Sequence, residues 1–340
     1  MKTSDFDYHL PPELIAQVPL EPRDSSRLFV LDRKDSRNRH SIFRQIGAYL
    51  NPGDLLVLNE TRVLAARLYA RKVPTGGRIE LLLLHPVDSL TWEVLVGGKG
   101  LVVGRRLQVE NGPNAEIKAV LTGARRLVEF AEPVESYLRK AGHVPLPPYI
   151  HTSLADPERY QTVYAQQAGS AAAPTAGLHF TQYLLDKLDL QGVKLARVIL
   201  HVGLDTFAPV DEDDPTQHQI HTEWCQVPIE TVEAVRQTRC SGGRVLAVGT
   251  TSVRALESAA RQAAPAQVIQ PYEGPTDLFI LPGYHFCAVD AMITNFHLPR
   301  STLLMLVSAF AGRENILAAY EEAIRQRYRF YSFGDAMLIL

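Results

Sequence analysis

One short stretch of the chain brings together side chains that suit acid–base chemistry. His218, His221 and Glu223 form its one local cluster of histidine and glutamate. On a strand, His221 and Glu223 would point to the same side. The spacing differs from that of a His-Glu-x-x-His zinc helix, so the cluster favours acid–base or substrate-binding work over a metal site.

A second candidate segment, residues 201–207, follows an apolar run that predicts a strand at residues 193–202. In layered α/β proteins the functional groups cluster at the carboxyl ends of strands, where loops form a crevice. His201, Asp205 and Thr206 are therefore candidate site residues.

A third segment is a predicted strand at residues 244–248, a Gly-Thr-Thr-Ser turn and a helix at residues 253–262. The turn places backbone N–H groups and the hydroxyls of Thr250 and Thr251 at a helix N-terminus, which favours anionic or polar ligand groups. Arg254 could grip a carboxylate there. A well-capped structural helix is the alternative. Neither a P-loop nor a nicotinamide-binding glycine motif is present.

Two further segments carry isolated polar side chains beside apolar ones. His179 ends a run of small residues in which the backbone could approach a ligand closely. Asn295 and His297 precede the apolar run at residues 303–310. Each could line a pocket. The alternatives are a hydrogen-bonded core residue for His179 and helix capping for the other two.

The elements around these segments predict an α/β layered main domain, because strands alternate with helices. Helices are predicted at residues 229–239 and 316–328, and Ser41 is a candidate N-cap for a helix that ends near residue 50.

Between residues 64 and 131 the pattern changes to short apolar runs separated by Gly-Gly, Asn-Gly and similar turns. Such spacing is typical of an all-β barrel or sandwich. We predict an inserted, six-stranded, antiparallel barrel-like domain at residues 63–149, with the α/β catalytic domain formed by residues 1–62 and 150–340. The predicted strands span residues 64–73, 78–85, 91–96, 105–110, 116–121 and 127–131.

Composition narrows the class of protein further. The chain has 340 residues, a formal net charge of −2 and three widely spaced cysteines. These features disfavour a disulfide framework and a cysteine-rich zinc site, and they favour the reducing cytosol. Residues 1–10 lack the basic start and apolar core of a signal peptide, and the longest apolar runs fall short of the roughly 20 residues of a membrane span. We therefore expect a cytoplasmic protein without a membrane partner.

Positive charge is clustered locally, although the whole chain is nearly neutral. A solvated surface is the simplest interpretation of each cluster, and a phosphate-contacting face follows only if clusters converge in space. The three groups are Arg33, Lys34, Arg37 and Arg39; Arg62, Arg67, Arg71, Lys72 and Arg78; and Arg325, Arg327 and Arg329.

Taken together, the segments resemble one family along essentially the whole chain. The chain resembles the S-adenosylmethionine:tRNA ribosyltransferase-isomerases of queuosine biosynthesis. The matching stretches include the His-Val-Gly run at residues 201–203 and the Pro-Leu-Pro-Pro-Tyr-Ile run at residues 145–150. The others are residues 8–11, 24–28, 53–59, 160–165, 171–181, 248–254, 294–302 and 328–337.

The resemblance implies an unusual reaction. The ribosyl portion of S-adenosylmethionine would be transferred and isomerised onto 7-aminomethyl-7-deazaguanine at the wobble position of tRNA, giving epoxyqueuosine with release of adenine and methionine. S-adenosylmethionine would be a consumed substrate, so no cofactor and no metal are expected. The resemblance also implies an α/β domain that carries an inserted β-barrel. We expect a monomer, with a dimer as the alternative.

The implied chemistry gives the candidate residues roles. The sulfonium acidifies the C5′ protons of the ribose, and a histidine suits their removal because its pKa is near neutral. We predict that His201 or His221 is the base, oriented by Glu223, and that these three are the catalytic residues. The predicted substrate-binding residues are His179, Thr206, Thr250, Thr251, Arg254, Asn295 and His297.

Asp205 stands where the family usually has glycine, so the resemblance gives its carboxylate no catalytic role.

Two other function classes remain as alternatives. A non-catalytic RNA-binding protein would account for the barrel and the basic residues but not for the polar loops outside the barrel. A methyltransferase of the usual α/β kind is disfavoured, because no glycine-rich loop follows the first strand.

Overall fold

Short runs of apolar residues give the chain seventeen β-strands in the residues that the computed structural model describes, which are 1–34, 38–152, 154–203, 210–265 and 267–340. In chain order they are β1 (Arg27–Leu31), β2 (Asn38–Ile42), β3 (Leu55–Asn59), β4 (Thr61–Val63), β5 (Arg67–Lys72), β6 (Arg78–Pro86), β7 (Thr91–Gly97), β8 (Arg106–Val109), β9 (Asn114–Val120), β10 (Arg125–Phe130), β11 (Gln167–Ser170), β12 (Lys194–His201), β13 (Glu223–Val227), β14 (Val245–Val248), β15 (Tyr272–Thr276), β16 (Ala291–Asn295) and β17 (Ala336–Ile339).

Helices are fewer in the same described residues. The α-helices are α1 (Leu138–Ala141), α2 (Gln182–Leu190), α3 (Ile229–Cys240), α4 (Thr250–Arg261), α5 (Thr302–Ala311) and α6 (Arg313–Arg325). Short 3-10 helices span Thr3–Phe6, Pro12–Leu14, Arg23–Ser25, Phe43–Tyr49, Val134–Tyr137, Pro157–Tyr160, Thr175–His179 and Pro215–Gln217.

The chain divides into two compact units. The main unit comprises Met1–Arg62 and Pro147–Leu340, and the inserted unit comprises Val63–Leu146. In the main unit, nine strands form one sheet in the order β15-β13-β12-β3-β14-β16-β17-β1-β2. The four neighbours β12, β3, β14 and β16 run parallel, so their carboxyl ends meet at one edge of the sheet.

Alternate residues of the central strands face opposite sides of this sheet. In β3, Leu55 and Val57 belong to a core that includes residues of α3 to α6, whereas Leu56 and Leu58 belong to a second core that includes residues of α2. Both faces are therefore covered, which is why the central strands are apolar at nearly every position. This arrangement fixes the sheet edge that carries the candidate residues.

The inserted unit holds a closed barrel in the strand order β10-β7-β6-β5-β8-β9, and every neighbouring pair is antiparallel. Trp92, Val94 and Val96 are buried at alternate positions of β7, as expected for a strand with one interior face. Asn111 has φ 58° in the Asn-Gly turn before β9, a conformation that asparagine tolerates well. The predicted α/β layered domain with an inserted six-stranded barrel is confirmed.

One predicted helix is wrong. Ser41 is not an N-cap, because it lies in β2, paired opposite Leu28 of β1. The segment that follows, Phe43–Tyr49, is a 3-10 helix that buries Phe43 and Ile46. The apolar spacing therefore does mark a buried face, but the residues before it extend the sheet.

In the described part of the chain, no single helix is long and apolar enough to cross a membrane. Helices α5 and α6 reach that length and apolarity only as a pair, and they are bent by 113° relative to each other.

Candidate active site at the carboxyl edge of the main sheet

A cavity lies where β14 and β16 end. It encloses about 490 Å³, including the part open to solvent, and we call it the strand-end cavity. Of the predicted site residues, Thr250, Thr251, Asn295 and His297 line it. Thr175, Thr294, Tyr331 and Ser332 complete its polar wall.

Asn295 is held by partners on both sides of its amide. The hydroxyl of Thr175 donates to its Oδ1 at 2.9 Å, and its Nδ2 donates to Nε2 of His179 at 3.2 Å. The other ring nitrogen of His179, Nδ1, therefore carries the proton that bonds Oγ of Ser26 at 2.8 Å. Burial, with a smaller contribution from Arg329, lowers the pKa of His179 to about 3. His179 is thus a neutral ring that positions Asn295.

His297 is the second neutral histidine at this edge. Its Nε2 contacts the hydroxyl of Thr294 at 2.7 Å, and its backbone N–H donates to the Tyr320 hydroxyl at 3.0 Å. The Tyr8 hydroxyl donates to its carbonyl oxygen. Burial lowers the pKa of His297 to about 3, so the ring is a hydrogen-bonding group and not a proton acceptor near neutral pH.

The N-terminus of α4 points into the strand-end cavity. Gly249 precedes the helix with φ 87°, in the left-handed region that glycine adopts without strain. The helix begins at Thr250 and not at residue 253, so the N–H groups of its first turn lie beside the cavity. The Oγ1 of Thr251 is buried and has no hydrogen-bond partner among the described residues. This end of the helix therefore offers donors and a hydroxyl to a polar ligand.

One turn further along α4, Arg254 forms a buried ion pair with Glu223 of β13. The two side chains are 5% and 3% exposed, and Nη1 of Arg254 contacts Oε2 of Glu223. Nε of Arg254 donates to the Leu278 carbonyl at 3.0 Å, and Oε1 of Glu223 accepts the N–H of Gly203 at 2.8 Å. Glu223 thus joins the helix to the residues that follow β12.

The remaining nitrogen of this guanidinium, Nη2, is buried without a hydrogen-bond partner in the described structure. Arg254 lines a second cavity of about 440 Å³, including its solvent-open part, which we call the Arg254 cavity. His218 and His221 also line it, and Leu303 borders both cavities. A buried, charged donor without a hydrogen-bond partner beside a cavity is suited to an anionic ligand group.

His221 and Glu223 differ in burial although they are close in sequence. His221 precedes β13 and is exposed, whereas Glu223 begins the strand and is buried. His218 contacts Glu212 through Nδ1 at 2.8 Å. The structure thus places His221 on the rim of the Arg254 cavity and Glu223 behind Arg254.

His201 ends β12 and lines neither cavity. Its Nδ1 contacts the Thr61 hydroxyl at 2.8 Å, and its ring stacks on Trp224 with centroids 5.3 Å apart. A Cβ on Gly169 would lie 2.6 Å from Nε2 of this ring, so only glycine permits the approach. Burial lowers the pKa of His201.

Thr206 and Asp205 lie outside the described residues, so the structure does not place the second half of the 201–207 run. Among the residues that are described, no three His, Cys, Asp or Glu side chains are grouped so as to hold a metal ion.

Sequence reasoning missed the partners that fix these rings. Ser26 contacts His179, Thr175 contacts Asn295, and Thr61 contacts His201. A signal was available for two of them, because Ser26 and Thr175 lie within stretches that carry the family resemblance. Thr61 lies two residues beyond such a stretch.

Comparisons with known proteins identify the family of the chain. The family model described as "Queuosine biosynthesis protein" matches residues 3–339. A relative from Symbiobacterium thermophilum is 54% identical over 344 residues, and one from Carboxydothermus hydrogenoformans is 52% identical over 343 residues. Both alignments cover 100% of each chain, and both relatives are named S-adenosylmethionine:tRNA ribosyltransferase-isomerase.

A solved structure is also similar. The crystal structure of an S-adenosylmethionine tRNA ribosyltransferase from Thermotoga maritima matches with a TM-score of 0.58 and 45% sequence identity, covering 99% of this chain and 100% of that one. The chain therefore belongs to the queuosine biosynthesis protein family, the family of the S-adenosylmethionine:tRNA ribosyltransferase-isomerases.

Proposed function

We propose that the chain transfers and isomerises the ribosyl portion of S-adenosylmethionine onto 7-aminomethyl-7-deazaguanine at the wobble position of tRNA. The product is epoxyqueuosine, and adenine and methionine are released. The observation that carries this proposal is the pair of adjoining cavities at the carboxyl edge of the sheet, in a chain whose full-length relatives bear that enzyme's name.

The reaction makes separate demands on the site. A base takes a C5′ proton, which the adjacent sulfonium acidifies. Adenine leaves with the electron pair of its bond to the ribose and takes up a proton. The substrate amine attacks C1′ in its neutral form with net loss of one proton, and the C1′–O4′ bond breaks with its electron pair left on the oxygen. The C5′ carbanion bonds to C1′ and closes the carbocycle. The oxygen on C4′ then displaces the sulfur from C5′, so the epoxide closes and neutral methionine departs with the electron pair of the C5′–S bond.

Arg254 is suited to the methionyl end of S-adenosylmethionine. Its Nη2 is an unpaired, charged donor at the Arg254 cavity, and the methionyl carboxylate is an anionic group of matching geometry. Glu223 acts here through Arg254, because it fixes the guanidinium from behind. We therefore give Glu223 a positioning role in addition to the orienting role predicted for it.

The strand-end cavity is suited to neutral polar groups. Asn295, Thr250 and Thr251 present an amide, hydroxyls and helix N–H groups, and His179 and His297 hold that wall in place. Their low pKa values leave His201 and His221 as the candidate bases. Burial also lowers the pKa of His201, which weakens it as a base, whereas His221 lies on the rim of the Arg254 cavity, so both remain candidates.

The test incubates the enzyme with S-adenosylmethionine and tRNA that bears the deazaguanine base. We expect adenine and methionine in equal amounts, together with a tRNA whose mass includes the epoxide-bearing ring. Release of S-adenosylhomocysteine would instead mean methylation, and binding of tRNA without turnover would mean a non-catalytic RNA-binding protein. Either outcome would overturn the proposal.

A further inference from the structure

A third cavity in the main unit, of about 300 Å³ including its solvent-open part, is bordered by arginines from distant parts of the sequence. Arg23 and Arg159 line it together with His179 and Ser332. We call it the arginine pocket. Ser332 also lines the strand-end cavity, and His179 contacts Asn295 there. The arginine pocket and the strand-end cavity are therefore neighbours.

The arginines of this pocket bond mainly to backbone carbonyls. Arg23 donates to the carbonyl oxygens of Gln161 at 2.6 Å and Glu158 at 3.0 Å. Arg159 donates to the Leu20 carbonyl at 2.5 Å. Carbonyl partners fix a guanidinium without neutralising its charge, and each guanidinium has five N–H groups, so donors remain for a ligand.

No aspartate or glutamate is among the described residues that line the pocket, although the carboxylates of Glu21, Asp156 and Glu158 lie close enough to act on Arg23. Nη1 of Arg159 lies 2.5 Å from Oε2 of Glu21, but the Glu21 side chain is 76% exposed, so this pair is well screened by solvent. Burial, and then the like charge of Arg159, lower the pKa of Arg23. The two guanidiniums thus lie close enough to repel each other, which a bound anion would relieve.

Arg329 adds a third cation behind His179. Its Nη2 donates to the Val18 carbonyl, and its Nη1 is buried without a hydrogen-bond partner among the described residues. The carboxylate of Asp335 accepts the backbone N–H groups of Arg27 and Arg329, each at 2.8 Å.

The basic residues of the barrel are different. Arg67 pairs with Glu80 at 2.8 Å and Arg78 with Glu110 at 3.0 Å, both within the inserted unit. The carboxylates of Glu80 and Glu110 are less exposed than that of Glu21, so they compensate their arginines better, and these residues are weaker candidates for binding a polyanion than the arginines of the pocket.

We propose that the arginine pocket binds a phosphodiester group of the tRNA, next to the nucleoside whose base enters the strand-end cavity. The inference rests on the proposed tRNA substrate. Arginine forks match phosphate oxygens with paired hydrogen bonds.

The test uses the full-length enzyme and an anticodon stem-loop RNA that carries the deazaguanine base at the wobble position. In a series of RNAs, each phosphate near that base is replaced singly by a neutral methylphosphonate. Affinity is measured by fluorescence anisotropy at several salt concentrations for the wild type, Arg159→Gln, Arg159→Lys and Arg313→Gln. Arg313 is the control, because it is a partly exposed arginine that pairs with Asp5 at 3.5 Å, outside the pocket.

We expect one methylphosphonate position to weaken wild-type binding about tenfold, the effect of losing one charge-assisted hydrogen bond. Arg159→Gln binds the unmodified RNA about tenfold less tightly, and the methylphosphonate at that position does not weaken its binding further. The slope of the logarithm of its binding constant against the logarithm of the salt concentration is smaller in magnitude by about 0.7 to 0.9. Arg159→Lys keeps most of the wild-type salt dependence of binding. Arg313→Gln is weakened by the same methylphosphonate position as the wild type.

The inference is overturned if Arg159→Gln retains the wild-type pattern of sensitivity, or if Arg313→Gln loses it equally. A pocket that takes free phosphate would respond to added inorganic phosphate but to no methylphosphonate position, which also contradicts the inference. If Arg159→Gln and the one methylphosphonate affect binding as expected but the enzyme releases no adenine, the proposed function is wrong and the phosphate subsite is supported. The two failures are therefore distinguishable.

Discussion

The strand-end cavity and the Arg254 cavity share Leu303 but differ in the charge and the hydrogen bonding of the groups that line them. The first is walled by neutral groups whose hydrogen bonds are nearly all made within the protein, as in the chain from Ser26 through His179 to Asn295. The second contains a buried ion pair with one donor left over. We infer that the neutral network fixes the shape of the strand-end cavity, whereas the Arg254 cavity keeps a charged donor available for a ligand.

The largest effect is expected at the charged site. Arg254→Gln breaks a buried ion pair by removing its cation, so we expect a loss of about 3–5 kcal/mol in the free energy of unfolding. Arg254→Lys keeps a charge beside Glu223 but removes Nη2, and we expect its KM for S-adenosylmethionine to rise more than tenfold. Denaturant titration and steady-state kinetics measure the two effects.

Arg244→Gln is the matched control for Arg254, because Arg244 pairs with the buried carboxylate of Asp54 at 2.5 Å, before β14 begins. It should lose stability without a change in KM. An Arg254→Lys enzyme that binds S-adenosylmethionine as the wild type does would remove the distinction between the two cavities.

The next effect concerns the placement of His201. In Gly169→Ala the new methyl would lie 2.6 Å from the imidazole, so the ring must move. If His201 is the base, kcat falls about a hundredfold, since a displacement near 1 Å costs that much. Gly97→Ala in the barrel is the control, because its methyl would meet Glu80 at an ordinary 3.6 Å. Unchanged kcat in a folded Gly169→Ala enzyme would shift the assignment towards His221.

The neutral network predicts a pH dependence of stability. The pKa of His179 is about 3 in the folded protein, below the unfolded value of 6.5, so the unfolded state takes up the proton first as pH falls. The free energy of unfolding should therefore decrease from about pH 6.5 towards pH 3, by up to about 1.4 kcal/mol per pH unit for this ring. His179→Asn should reduce that slope. Parallel curves for the two proteins would show that His179 is not a buried neutral ring.

The smallest effect is expected at Thr251, whose Oγ1 has no partner among the described residues. Thr251→Val should change the free energy of unfolding by less than about 1 kcal/mol and raise a substrate KM about tenfold. Thr294→Val should lower the free energy of unfolding by more than about 1 kcal/mol, because the hydroxyl of Thr294 contacts His297 at 2.7 Å. Equal loss of stability in the two variants would mean that Thr251 is part of the internal network.

Local pattern was enough to predict much of this fold. Asn-Gly and Gly-Gly turns between short apolar runs predict the barrel, and apolar strands followed by polar loops predict the edge at which Thr250 and Asn295 meet. Ser41 shows the limit, because a strand residue followed by a buried 3-10 turn has the apolar spacing of a helix.

Partners far apart in sequence could not be predicted. Ser26 and His179 are 153 residues apart, and Thr61 and His201 are 140 residues apart, so only the folded sheet brings them together. The same holds for the arginine pocket. Arg23 and Arg159 belong to none of the basic clusters in the sequence, whereas arginines of the second cluster, such as Arg67 and Arg78, are neutralised within the barrel.

The central claim is that a side chain at this sheet edge removes a C5′ proton from S-adenosylmethionine before the ribosyl group is transferred. The most direct measurement uses S-adenosylmethionine with both C5′ hydrogens replaced by deuterium and follows adenine release and the deuterium content of the unreacted substrate. We expect either slower adenine release than from the undeuterated substrate, or loss of deuterium from the unreacted substrate to solvent. If the deuterated substrate shows neither effect, the C5′ proton is not removed before adenine leaves, and the claim is wrong.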